Sequence, residues 1–132
     1  MEVTGKACLW RKVFFYLAVV FVITVATQVF FAGLATFVDP SRWQTHRIFV
    51  RIIEYVPILM LIFSFFAKLP KSMKWQSFGL FILFILMYAT ANIPNAGAFH
   101  PVIALVMFWA AIAVSQKAWR YAYNMESSKE AH

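Results

Sequence analysis

Four apolar runs dominate this sequence: Val13 to Val38, Ile52 to Phe66, Ser77 to Ala91 and Val102 to Val114. A helix rises about 1.5 Å per residue, so about 20 residues cross a hydrocarbon layer of about 30 Å. The first run exceeds that length and has room to tilt. The other three reach it only with their polar ends included, which predicts that those ends lie at the membrane boundary or just inside it. With 63% hydrophobic and only 13% charged residues among 132, the chain cannot bury its apolar surface in a core of its own and needs lipid. The expected fold is all-α: one domain over 1–132, with spans at 13–38, 46–66, 75–92 and 100–118 and a tail over 119–132. Short connections predict an up-down-up-down bundle of two helical hairpins.

The net charge of +7 invites a nucleic-acid reading, but the distribution of the basic residues argues for membrane topology instead. Lys6, Arg11 and Lys12 precede the first span, Lys68, Lys71 and Lys74 separate the second and third, and Lys117, Arg120 and Lys129 follow the fourth. On a four-span layout these share one side, opposite Arg42, Arg47 and Arg51, so both termini are expected in the cytoplasm. Trp10, Trp75 and Trp119 fall at that boundary and Trp43 at the other, as interfacial anchors do; Trp109, well inside the fourth span, is the exception. The first run is too long for a signal peptide and is expected to be retained. Cys8, the lone cysteine, has no internal disulfide partner and is expected as a free cytoplasmic thiol, with acylation the alternative. The segment NMESSKEAH has no apolar periodicity, and His132 within it carries no functional weight.

The two connections opposite the lysine-rich side share a spacing. DPSRWQTH places Pro40 six residues before His46, and IPNAGAFH places Pro94 six residues before His100. The match suggests two hairpins related by an axis along the membrane normal, although elsewhere the halves align poorly.

Polar residues within the spans gather toward the same side: Thr24, Thr27 and Gln28 on the first, His46 to Glu54 on the second, Thr90 and Asn92 on the third, and His100 on the fourth. An ionisable group costs about 2.5 to 3.5 kcal/mol or more at mid-membrane, so such residues face a bundle interior or a wet cavity. At about 100° per residue, Arg47, Arg51 and Glu54 share a narrow sector, with His46 about a quarter turn away. Arg51 and Glu54 are spaced for an i,i+3 pair, the bland account of the charged sector. His100 precedes Pro101, which suits a first helical turn. Its stripe continues through Ala104, Met107 and Ala111, small residues that favour close helix packing or leave room for a ligand. Gln28 is expected to donate a hydrogen bond between helices.

Taken together, the two histidines define the candidate site. The second and fourth helices are diagonal across such a bundle, about 13 Å apart, and inward imidazoles at equal depth could hold a planar cofactor edge-on. A b-type haem held by His46 and His100 as axial ligands, with Arg47 and Arg51 (or Arg42) beside its propionates, is the leading expectation. Gln28, Glu54 and Asn92 complete the polar mouth. Zinc or copper fits poorly, because two histidines without a third ligand make a weak cage.

HRIFVRIIEYVPILMLI and FHPVIALVMFW, together with Gln28 and Ala32-Gly33, resemble a family of small four-helix bacterial membrane proteins of unknown function. The arrangement also resembles one four-helix half of haem A synthase, in which histidines on the second and fourth helices hold a haem near the outer face. Only His46, the adjoining Arg47 and His100 match that pattern; the second half has no counterpart here, nor has the catalytic acidic motif outside the second helix. The resemblance implies a bacterial plasma-membrane location and haem binding, in electron transfer or haem handling, rather than haem A synthesis. The alternative is a cofactor-free accessory or assembly subunit of a larger membrane complex. A proton or small-solute path through Glu54, Arg51 and Gln28 ranks third. Lipid and a membrane-protein partner or second copy are the expected partners, without nucleic acid. No nucleophile, phosphate loop or metalloprotease motif occurs, so an enzyme is not expected.

Overall fold

The computed structural model describes residues 5–124; Lys129, His132 and the rest of the expected tail beyond Asn124 lie outside the described residues. All regular structure among them is helical: α1 (Gly5–Phe37), a 3₁₀ turn (Pro40–Arg42), α2 (Trp43–Ile53), α3 (Tyr55–Phe66), α4 (Lys71–Asn92) and α5 (Phe99–Trp119), followed by a π-type turn (Arg120–Asn124). Four segments are long and apolar enough to cross a membrane: α1, the 3₁₀ turn with α2 and α3, α4, and α5 with its turn. The chain is a multi-pass membrane protein built as an all-α four-helix bundle.

Helices in lipid hide only the stripe that faces their neighbours, and each span shows one. Phe14, Ala18, Phe21 and Val25 on α1, Met60 and Ser64 on α3, Ser77, Leu80 and Phe84 on α4, and Met107, Ala111, Val114 and Ala118 on α5 are buried at i,i+3 and i,i+4 spacing. Large apolar residues such as Ile23, Ile62, Leu86 and Trp109 point outward. The buried hydroxyls bond their own helices, Ser64 to Leu61 O at 2.6 Å and Ser77 to Met73 O at 2.9 Å, so they cost no orphaned donor. α1 packs on α5 and α3, and α4 packs on α5 and α3, leaving α1 diagonal to α4 and α3 diagonal to α5.

The second span is interrupted at Glu54, between α2 and α3, where one helical hydrogen bond is missing although the backbone keeps helical dihedrals, φ −59° and ψ −24°. The cause lies three residues on: Pro57 has no N–H for the Ile53 carbonyl and its ring crowds that carbonyl, which interrupts the helix there. Pro57 follows His46 by eleven residues, whereas the residue eleven after His100 is Ala111, and α5 runs through unbroken. Beyond the break, α2 packs on α1 and on neither α4 nor α5. A gap therefore opens at this end of the bundle.

Two turns close the same end. Asp39 accepts hydrogen bonds from Ser41 N at 2.9 Å and Ser41 Oγ at 2.7 Å, fixing the turn that Pro40 begins. These bonds hold the Asp39 carboxyl below its ordinary value of 3.8. Between α4 and α5 the chain reverses through Asn95 at φ 66°, a left-handed conformation that asparagine tolerates better than most residues.

Candidate functional site

The gap left by α2 is a cavity of about 790 Å³. Its walls come from α1, α2, α4 and α5, and both His46 and His100 line it. The two half-buried imidazoles lie with ring centres 6.4 Å apart and planes inclined at 59°. Neither α2 and α4 nor α2 and α5 pack on each other, so the histidines meet by reaching across the gap rather than because their helices touch.

Each ring is braced in the same way. His46 Nδ1 sits 3.2 Å from Gln28 O, and Gln28 Nε2 donates back to His46 O at 3.2 Å. His100 Nδ1 sits 3.0 Å from Met87 O and 3.3 Å from Thr90 Oγ1. A carbonyl oxygen only accepts, so each Nδ1 carries the hydrogen, and in the neutral ring Nε2 keeps the lone pair. Imidazoles that bind metals are fixed by a backbone carbonyl or carboxylate on the other nitrogen in this manner. The proline–histidine repeat thus extends to bonding: each histidine is tied to a carbonyl of the span preceding its own.

The remaining expected residues distribute around these rings. Arg47 and Arg51 are exposed and line the cavity, one helical turn apart on α2. Asn92 lines it from α4, with its amide donating to Tyr88 O at 2.7 Å. Gln28 is the interhelical donor expected of it, yet its Oε1 is buried without a hydrogen-bond partner among the described residues.

Glu54 departs from expectation. The i,i+3 ion pair with Arg51 does not form; Tyr88 Oη donates to Glu54 Oε2 at 2.5 Å instead. Glu54 keeps helical dihedrals, φ −59° and ψ −24°, and its N–H bonds Val50 O, so its carboxyl reaches α4 from a backbone still in register with α2. Tyr88 also lines the cavity, one turn above Phe84, whose ring it contacts edge-on at 5.7 Å. Sequence reasoning overlooked Tyr88 because a tyrosine among leucines and phenylalanines reads as core. The available signal was the need of a carboxyl deep in an apolar span for a donor on another helix. Among the described residues no group of three or more His, Cys, Asp or Glu side chains is placed to hold a metal ion.

Residues 28–93, half of the chain, match a family described as a family of unknown function, DUF6220. The chain belongs to the DUF6220 family. The matched segment begins at Gln28 and ends just past Asn92, so it carries Gln28, His46, Arg47, Arg51, Glu54, Tyr88 and Asn92, while His100 lies beyond it. No curated protein and no solved structure matches this DUF6220 chain.

Proposed function

We propose that this DUF6220 protein binds a b-type haem between His46 and His100 and serves in electron transfer or haem handling. The observation that carries the reading is the pair of braced rings 6.4 Å apart. Metal–imidazole bonds of roughly 2 Å, with about 1 Å more to each ring centre, put two imidazoles on opposite sides of one metal ion about 6 Å apart. Both Nδ1 atoms are engaged by carbonyls, which leaves Nε2 as the ligating nitrogen on each side.

The donor set favours haem over a bare ion. Two imidazoles complete a metal's coordination only when the metal brings further ligands of its own, as a porphyrin does. The cavity is of a size for such a ligand, since cofactor sites run to about 300–1,000 Å³ and are mostly apolar. Val25, Val29, Ala104 and Leu105 supply that lining, and Arg47 and Arg51 supply cations for the propionates. When bound, haem contributes a one-electron iron couple; the chain's part is to hold the two imidazoles and to screen them from water. In this reading the histidine end faces outward from a bacterial plasma membrane and both termini face the cytoplasm, in line with the excess of lysine and arginine at the other end.

The test is the absorbance spectrum of protein purified in detergent after expression with ample haem. A Soret band is expected in the wild type, and its loss in both His46→Ala and His100→Ala. A wild-type protein without the band would overturn the proposal and leave the accessory-subunit reading in its place.

A further inference from the structure

A second cavity lies at the opposite, lysine-rich end, and it has no part in the haem reading. It measures about 350 Å³ and is lined by Ser72, Met73, Lys117, Arg120 and Tyr121, between the start of α4 and the end of α5. Three sources of positive potential converge on it. Lys117 and Arg120 stand one turn apart on α5 and the turn that continues it. The third is the α4 N-terminus, where Pro70 offers no side-chain cap and the first turn holds no acidic residue.

The carbonyl end of α5 offsets part of this charge, since Lys117 sits in its last turn. No described carboxylate offsets the rest: of the acidic residues among 5–124, Asp39 lies in the turn before the second span, at the other end of the bundle, and Glu54 lies midway along that span. An anion with several acceptor oxygens would satisfy both side chains and the uncapped helix start together. Trp75 and Trp119, on the two helices that form the cavity, are exposed, 69% and 47%, and exposed tryptophans of a membrane helix mark the headgroup layer.

We propose that this cavity is a phosphate-binding site occupied by the headgroup of an anionic phospholipid. Lys117 and Arg120 are its charged contacts, Ser72 its hydroxyl donor and Tyr121 its outer wall. The site requires neither His46 nor His100, so it stands or falls independently of the haem.

Native mass spectrometry of the purified protein, titrated with phosphatidylglycerol and with phosphatidylcholine, tests it. The wild type is expected to hold phosphatidylglycerol about thirtyfold more tightly, from about a fivefold contribution by each of two surface cations. Lys117→Gln/Arg120→Gln should erase the preference, Lys117→Arg/Arg120→Lys should keep it, and Lys6→Gln/Lys68→Gln, which removes the same charge elsewhere at this end, should leave it unchanged. Inorganic phosphate at millimolar concentration distinguishes the source: failure to displace the lipid supports a headgroup, whereas full displacement overturns the lipid assignment in favour of a soluble phosphate. The proposal is also overturned if the wild type shows no preference, or if the Lys6/Lys68 control loses as much as the cavity variant.

Discussion

Tyr88→Phe removes one hydrogen bond and little else. Phenylalanine keeps the ring that packs edge-on against Phe84, so no cavity opens, and the loss is the 2.5 Å bond from Tyr88 Oη to Glu54 Oε2. A hydrogen bond to a charged group contributes about 1.5–3 kcal/mol, and removing one partner also strands the other. Both residues are half-buried, which places the expected cost near the middle of that range, about 2 kcal/mol, or roughly thirtyfold in the folded-to-unfolded ratio. Glu54→Gln keeps an acceptor and should cost less, while the double variant should cost less than the two single losses added, because neither partner is left stranded. Unfolding by titration with sodium dodecyl sulfate in mixed micelles, followed by far-ultraviolet circular dichroism, measures all four corners of this cycle. A Tyr88→Phe protein within about 0.5 kcal/mol of wild type, or single losses that add without remainder, would refute the assignment of Glu54 and Tyr88 as the tie between the broken second span and α4.

Pro57→Ala restores a donor to the Ile53 carbonyl, so the second span should straighten and the distance between spin labels at Gln44 and Asn95 should change; an unaltered distance would show that the proline does not cause the break. Gln28→Leu trades the bond to His46 O against relief of the partnerless Oε1, and stability should stay within about 1 kcal/mol of wild type in the same unfolding titration. The lowered Asp39 carboxyl contributes stability that is fully present above its ordinary value of 3.8 and is lost as the pH falls through the lower folded value. Melting curves of wild type and Asp39→Asn should therefore keep a constant separation from neutral pH down to about 4 and converge only below it.

The spans were legible because the need to hide backbone from lipid leaves few alternatives for a long apolar run. Their ends were less so: α1 begins at Gly5 and α4 at Lys71, each several residues ahead of the apolar run, since a helix does not stop where hydrocarbon does. Pro57 stood in plain view within the second apolar run, but how far a proline disturbs a helix depends on how neighbouring helices can re-satisfy the freed carbonyl. Pairing Arg51 with Glu54 followed helical spacing, which the backbone keeps through Glu54, and failed because the carboxylate takes its hydrogen bond from Tyr88 on α4 instead. The common bracing of the two histidines was beyond sequence reasoning, as it depends on where the Gln28 and Met87 carbonyls fall in space.

The packing of α2 on α1 alone has a bearing on supply. Because α2 packs on neither α4 nor α5, the larger cavity is open between them, and a hydrophobic ligand of such a cavity would reach it by lateral diffusion within the leaflet. Occupancy then follows the ligand's mole fraction in lipid rather than its concentration in buffer. Extraction into excess detergent dilutes such a ligand even when the protein concentration is unchanged, so occupancy compared between preparations has meaning only at a matched ratio of ligand to lipid and detergent.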